Sequence, residues 1–153
     1  MTNNDHLRSI RFILNVDEAK LAEILKLRGF VLPVEDFESF LLNEEDDDYL
    51  QCSDEIMAAF LDGLIYFKRE KDESRPTPDL EIPIDNNVVL KKLKVAFALK
   101  EEDMHKVLSL ANFKVSRPEL SALLRKKGHE NYRECGDQFL RNFYKGLAVK
   151  FRL

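Results

Sequence analysis

Apolar residues recur every three or four positions along most of the chain, the spacing that places them on one face of an α-helix. In residues 1–69 this spacing predicts four helices, the third of them near residues 34–42. Their apolar positions are, in order, Leu7, Ile10, Ile13 and Leu14; Leu21, Ile24 and Leu25; Phe37, Phe40 and Leu41; and Ile56, Met57, Phe60, Leu61, Leu64 and Ile65. No stretch sustains the alternation of a β-strand, so the pattern predicts an all-α protein.

Polar residues at the ends of these segments predict where the helices start and stop. Asn4 and Asp5 are possible caps for the first helix, and Asp17 precedes the second. Gly29 is a suitable stop for the second helix, because glycine readily takes the left-handed conformation that ends helices. Ser53 is a typical N-cap, and the acidic residues after it favour the helix dipole.

The whole pattern occurs twice, 83 positions apart. Residues 7–69 align with residues 90–152 without a gap, and thirteen of the 63 pairs are identical. These pairs are Leu7/Leu90, Glu18/Glu101, Leu25/Leu108, Leu27/Leu110, Phe30/Phe113, Leu41/Leu124, Tyr49/Tyr132, Cys52/Cys135, Asp54/Asp137, Phe60/Phe143, Gly63/Gly146, Leu64/Leu147 and Arg69/Arg152. Because a repeat that keeps its apolar spacing is one structural unit used twice, we expect two tandem four-helix units.

The second copy predicts its own helix boundaries. Its first helix starts at Asn87, and its second spans Glu101–Ala111. Ser116 and Glu119 form a capping box ahead of the third helix, and the fourth carries Phe139 to Phe151. In each copy the second and third helices and their turn resemble a helix-turn-helix.

Two identical pairs indicate close packing. A glycine inside a helix costs roughly 0.5–1 kcal/mol relative to alanine, so the repeated Gly63 and Gly146 suggest that another helix lies close to them. Cys52 and Cys135 occupy one position of the repeat. Free cysteine is among the most buried residue types, and we expect two structural thiols without a disulfide.

The chain divides into residues 1–69, a linker over residues 70–86 and residues 87–153. The linker contains three of the five prolines, and we expect it to be extended and solvated. Residues 1–69 hold 7 basic and 15 acidic residues, whereas residues 87–153 hold 15 basic and 7 acidic residues. A net charge of −8 against +8 suggests an electrostatic partner or docking of one copy on the other.

Motifs for catalysis are missing from the sequence. It has no Gly-rich phosphate loop, GxSxG, CxxC or HExxH pattern, and we expect neither an enzyme nor a cofactor. His6, His105 and His129 lack the spacing of metal ligands, and we expect them at the surface. With no run of 18 apolar residues and no signal peptide at the N-terminus, the expected compartment is the cytoplasm.

Two binding surfaces are open hypotheses. Basic and small polar residues of the second copy are suited to phosphates and base edges, and the candidates are Lys91, Lys92, Lys94, Arg117, Ser121, Arg125, Lys126 and Lys127. The first copy instead offers apolar and acidic residues for a protein partner, and these are Val34, Glu38, Leu42, Glu44, Glu45, Asp46, Asp47 and Asp48. One form of self-association would place Glu44–Asp48 against Arg125–Lys127.

Several segments resemble the YehS-like family, small bacterial proteins with two copies of a domain of unknown function. The matching text is NDHLRSIRF, CSDEIMAAFLDGLI, NNVVLKKLKVAFALKEEDM and SRPELSALLRKKGHENYRECGDQFLRNFYKGL. The resemblance implies a bacterial, cytoplasmic protein and brings no catalytic residues. We therefore expect a non-enzymatic module that acts through protein–protein interaction or self-association, with nucleic-acid binding by the second copy as the alternative.

Overall fold

The computed structural model describes residues 1–152, and within them all regular structure is helical. The helices are α1 (Asn3–Leu14), α2 (Glu18–Lys26), α3 (Val34–Phe40), α4 (Asp54–Arg69), α5 (Asn86–Ala96), α6 (Glu101–Leu110), α7 (Arg117–Leu124) and α8 (Asp137–Phe151). The prediction of an all-α protein with four helices in each copy is confirmed. The stretches between the second and third helices are longer than the 3–4-residue turn of a DNA-binding helix-turn-helix, spanning residues 27–33 and 111–116.

Most of the predicted caps are present. Asp17, Ser53 and Ser116 all accept hydrogen bonds from the first turns of their helices. The predicted capping box at Ser116 is half formed, because the carboxylate of Glu119 accepts from the Ser116 hydroxyl at 3.0 Å. The first helix, however, is capped by Thr2, and α5 is capped by Asp85. The predicted cap Asn4 and the predicted start Asn87 instead lie inside the first turns and are buried.

Each of these buried asparagines fixes the start of a first helix to the segment before the fourth. The Nδ2 of Asn4 donates to the carbonyl oxygens of Phe40 and Leu50, both at 2.9 Å. Its Oδ1 accepts the backbone N–H of Cys52 at 3.0 Å. Asn87 makes the same three bonds at the equivalent positions of the second copy. A buried polar side chain is stable only when it is satisfied in this way.

The two copies are joined by reciprocal packing of their first and fourth helices. Helix α1 packs more extensively on α8 of the second copy than on any helix of its own copy. Helix α5 likewise packs chiefly on α4 of the first copy. Within each copy the fourth helix also packs on the second, α4 on α2 and α8 on α6. The duplicated units therefore share one hydrophobic core.

Both ends of the fourth helices bond to residues outside their own copy. Asp54 accepts a hydrogen bond from the backbone N–H of Ile84 in the linker at 3.0 Å, and Asp137 pairs with the amino group of Met1 at 2.9 Å. At the opposite ends, Arg69 donates to the Val95 carbonyl oxygen at 3.2 Å, while Arg152 donates to that of Phe12 at 2.7 Å. Two of the identical pairs in the repeat thus add hydrogen bonds to the helix packing between the copies.

The repeated glycines lie where two helices touch. A Cβ on Gly63 would be 2.2 Å from the carbonyl oxygen of Ile24, and one on Gly146 would be 2.0 Å from that of Val107. Both distances are too short for any real contact, so only glycine allows α4 and α8 to approach α2 and α6 this closely. The prediction of close packing at Gly63 and Gly146 is confirmed.

The cysteines are free and buried, as predicted. Cys52 is 2% exposed and Cys135 is 6% exposed. Burial, followed by the neighbouring carboxylates, raises the pKa of each thiol to about 12. The thiols therefore stay protonated at neutral pH, as expected of side chains that only fill space.

The linker begins after Arg69 and ends at Asp85, because Asn86 is already helical. Residues 72–79 are exposed, in agreement with the predicted solvated connector. Leu80 and Ile84, however, are partly buried against the core. No helix in residues 1–152 combines the length and apolarity needed to cross a membrane.

Candidate functional site

Several residues proposed for nucleic-acid contact are engaged with other parts of the protein. The Nζ of Lys91 donates to the carbonyl oxygen of Arg125 at 2.8 Å. Lys92 lies 3.0 Å from a carboxylate of α4, and the hydroxyl of Ser121 donates to a carboxylate of α6 at 3.0 Å. These three side chains already have partners within the fold.

The remaining basic residues do not follow one helix face. Arg117 is exposed at the start of α7, and Lys94 is partly exposed on α5. Helix α7 ends at Leu124, and Arg125 is extended. Arg117, Ser121 and Arg125 therefore do not lie on one helix, and residues 125–127 form an exposed basic loop.

The acidic candidates lie on a different surface. Residues Glu44–Asp48 are exposed between α3 and α4. None of the ion pairs within residues 1–152 joins them to Arg125–Lys127. Val34 and Leu42 are only partly exposed, and Glu38 is exposed. Helix packing, and not these two loops, joins the copies within the chain.

The prediction of a surface position is wrong for His6, which is 1% exposed. Its Nδ1 lies 2.8 Å from the hydroxyl oxygen of Tyr144, across the contact between α1 and α8. Burial, followed by the charge of the amino terminus, lowers the pKa of His6 to about 4. Among residues 1–152, no three or more His, Cys, Asp and Glu side chains cluster as a metal site.

A buried carboxylate lies at the other contact between the copies. Asp62 of α4 is 5% exposed and pairs with Arg28 at 3.3 Å and with Lys92 of α5 at 3.0 Å. Arg28 also donates to the carbonyl oxygen of Pro78 in the linker at 3.0 Å. The groove beside Asp62 is lined by α4, α5 and linker residues 71–78, and we call it the covered groove; its volume is about 380 Å³.

An equivalent groove lies between α1, the end of α6 and α8, and we call it the open groove. Its volume is about 570 Å³. It is lined by Ser9, Phe12, Ile13, Leu110, Ala111, Asn112, Arg141, Tyr144, Lys145, Ala148 and Val149. All of these belong to α1, α8 or the C-terminal end of α6, so no part of the linker contributes to this groove.

The open groove concentrates exposed apolar surface. Phe12 is 49% exposed, Leu110 46% and Val149 64%. These three side chains come from three different helices and surround one concave site. Contiguous exposed apolar surface on a folded protein marks an interaction site more often than scattered exposed residues do.

Two cations lie in the same groove. Lys145 and Arg141 of α8 are exposed, and neither is within ion-pair distance of a carboxylate in residues 1–152. Lys145 occupies the position of Asp62 in the repeat. The open groove thus has an apolar wall and an unpaired positive charge, which together suit a ligand with apolar and acidic groups.

Sequence reasoning missed this groove because it depends on which helix of the other copy packs on α8. One signal was available. The substitution of Lys145 for Asp62 reverses a charge inside a segment that also contains Gly63/Gly146 and Leu64/Leu147. A charge reversal within a segment that otherwise keeps its packing residues indicates that the two copies differ in what pairs with this position.

An all-α protein made by tandem duplication, with a groove at the contact between its copies, is the class that this structure defines. The chain matches the family described as "Protein of unknown function (DUF1456)" twice, at residues 3–70 and 86–152. It is also similar to "Uncharacterized protein YehS" of Escherichia coli (strain K12), with 45% identity over 150 residues, covering 98% of this chain and 96% of that protein.

The chain belongs to the DUF1456 family, with one copy of the domain in each half. The resemblance to YehS-like proteins is thereby confirmed. No solved structure matches the chain.

Proposed function

We propose that the protein is a non-enzymatic binding module that holds a segment of another polypeptide in the open groove. The observation that carries this proposal is the convergence of Phe12, Leu110 and Val149 on one concave surface. Interfaces take their affinity from a few apolar and aromatic anchors in a groove, surrounded by polar groups that fix orientation.

A polypeptide ligand suits this groove better than a small substrate. The site is open along its length and is built from helix faces, without a buried polar group aimed at a reacting atom. Its charged side chains are Lys145 and Arg141, which are exposed. The hydroxyl of Tyr144, which lines the groove, is already bonded to the buried His6. A binding role needs only the surface, whereas catalysis needs oriented polar groups.

Nucleic-acid binding is supported less well by the same structure. Of the eight basic and polar candidates, Lys91, Lys92 and Ser121 already bond within the protein. The exposed basic loop at residues 125–127 remains available for phosphates. Binding through that loop would weaken steeply with salt and would be lost when its charges are reversed.

Site-specific photocrosslinking tests the proposed function. A benzophenone amino acid at position 149 places the probe on the rim of the open groove, and position 31 is the control because Val31 is 77% exposed elsewhere. In cells that express the protein, we expect position 149 to give an adduct that maps to one discrete segment of a partner. Position 31 should not give that adduct.

The partner segment identified by mass spectrometry decides the outcome. A Leu110→Asp variant should abolish the adduct, because a carboxylate on the apolar wall loses the burial that holds the ligand. An adduct between two copies of this chain would show self-association through the groove. The absence of any adduct specific to position 149 would contradict the proposed function.

A further inference from the structure

Because the chain is duplicated, the covered groove shows how the surface that forms the open groove can contact a polypeptide segment. Asp62, Ile65 and Tyr66 of α4 line the covered groove, and the equivalent residues Lys145, Ala148 and Val149 of α8 line the open one. The two sites are therefore copies of one surface. In the covered groove that surface is in contact with a non-helical segment of the protein itself.

That segment is the linker, which runs along α4 from its end toward its start. Near the end of α4, the Nζ of Lys71 lies 5.5 Å from the centre of the Tyr66 ring. Farther along, the Pro78 carbonyl oxygen accepts a hydrogen bond from Arg28. The linker reaches the start of α4 at Ile84, whose N–H donates to Asp54. Apart from a turn at residues 72–75, the linker has no regular secondary structure. A proline-containing, non-helical chain is thus a ligand that this surface accommodates.

The start of α8 has the same anchor as the start of α4. Met1 occupies the position of Ile84 in the repeat, and its amino group bonds to Asp137 as the N–H of Ile84 bonds to Asp54. An extended segment that lies along α8 as the linker lies along α4 would cross Lys145 and Val149. The groove that it would fill is larger than the covered one, about 570 Å³ against about 380 Å³.

The charge of the open groove identifies the ligand. In the covered groove the carboxylate of Asp62 is neutralised by Arg28 and Lys92. In the open groove the corresponding residues are Lys145, Ala111 and Ser9, so the charge is reversed and its partners are missing. Because an unpaired cation beside an apolar wall is complemented by a carboxylate, the ligand has to bring the negative charge.

We infer that the open groove binds an extended, acidic, proline-containing segment of another protein, which lies along α8 as the linker lies along α4. This inference rests on the proposed function and specifies its ligand. The segment places a carboxylate at Lys145 and Arg141 and an apolar side chain against Phe12 and Val149. Binding of this kind combines apolar burial with charge complementarity, and the charge sets orientation.

A labelled peptide with the linker's own sequence, residues 70–82, is the probe. It carries five acidic and two basic residues and two prolines. We expect saturable binding by fluorescence anisotropy and a loss of at least about ten-fold in affinity for Lys145→Glu. Lys126→Glu is the matched control, because Lys126 is exposed in the basic loop of the same copy. Its affinity should stay within about two-fold of the wild type.

Fusing the linker sequence to the protein makes weak binding detectable. Residues 70–83 fused ahead of Met1 would place a second linker beside α8, at the millimolar effective concentration of a short tether. We expect this fusion to slow maleimide labelling of a Val149→Cys variant by about ten-fold or more, because the site is covered. The native cysteines are buried and do not compete for the reagent. Lys145→Glu should restore the labelling rate.

The results distinguish the proposed function from the inference about its ligand. The inference of an acidic ligand would be overturned if the linker peptide and a peptide with amides in place of its five carboxylates bound equally. It would also be overturned if a single-stranded oligonucleotide bound as tightly as the peptide or more tightly, and if that binding were lost in Lys145→Glu.

Failure of both the peptide and the fusion would overturn the inference about the ligand as well. A mapped photocrosslink at position 149 would in that case still support the proposed function.

Discussion

His6 of α1 and Tyr144 of α8 form a buried polar pair across the contact between the copies, with 2.8 Å between Nδ1 and the hydroxyl oxygen. The repeat places Val89 and Leu61 at the equivalent positions of the other contact. Both of these side chains are 0% exposed. At this position one of the two equivalent contacts has two apolar side chains, while the other has a histidine paired with a tyrosine.

This difference predicts acid sensitivity. The pKa of His6 is about 4 in the folded protein and near 6.5 when exposed, so the unfolded chain binds the proton more readily. The contribution of neutral His6 to the free energy of unfolding is therefore fully present above pH 6.5. It is lost as the pH drops toward 4, which lowers the free energy of unfolding by on the order of 3 kcal/mol. Chemical denaturation across this pH range measures the loss.

The control comes from the other copy. A His6→Val and Tyr144→Leu double variant installs the apolar pair found at Val89 and Leu61, and no histidine then remains at the contact. We expect its free energy of unfolding to change less between pH 6.5 and 4 than that of the wild type. Equal slopes for the two proteins would show that His6 does not carry the effect.

Alanine should not be tolerated at the helix contacts of Gly63 and Gly146. The added Cβ would overlap a backbone carbonyl oxygen of the facing helix, and we expect each substitution to lower the free energy of unfolding by about 2–4 kcal/mol. Gly136→Ala is the control, since nothing lies within 4 Å of a Cβ there. Urea unfolding compares the three variants, and a cost at Gly63 no larger than at Gly136 would contradict the packing.

The buried thiols should resist alkylation. With a pKa of about 12, Cys52 and Cys135 are almost fully protonated at pH 8. Because the thiolate is the reactive form, we expect iodoacetamide to modify the native protein at least about 100-fold more slowly than the denatured protein. Mass spectrometry follows both sites. Rapid labelling of either cysteine in the native state would show local opening at that site.

Expressing the two copies as separate fragments should expose the helix faces that pack against the other copy. Residues 1–70 lack α8 and α5, the cross-copy partners of α1 and α4. We expect this fragment not to fold as a monomer, and we expect it to form a 1:1 complex with residues 84–152. Light scattering and circular dichroism measure the association. Cooperative unfolding of a monomeric 1–70 fragment would contradict this arrangement.

Much of the fold could be predicted from the spacing of apolar residues and from the repeat. That information placed all eight helices, the buried cysteines and the close contacts at Gly63 and Gly146. These features depend on local sequence, or on equivalent positions of the repeat having the same packing role in both copies. The asparagine bonds were also within reach, because Asn3/Asn86 and Asn4/Asn87 continue the repeat upstream of Leu7.

The candidate site could not be predicted in the same way. A repeat shows which positions are equivalent, but it does not show which copy supplies the helix that packs on α8. The open groove requires α1 of one copy and α8 of the other. His6 was misplaced for the same reason, since its partner Tyr144 is 138 positions away. Pairings between residues this far apart in the sequence depend on tertiary packing, which local sequence patterns do not reveal.

The packing of α1 on α8 also determines when the protein can finish folding during synthesis. Helix α1 is synthesised well before α8, the helix with which it makes its most extensive contact. At 5–20 residues per second, roughly 7 to 27 seconds separate the ends of the two helices. Until α8 has been made, the nascent chain therefore carries an apolar helix face that is incompletely covered, and exposed apolar surface of this kind makes an intermediate prone to aggregation.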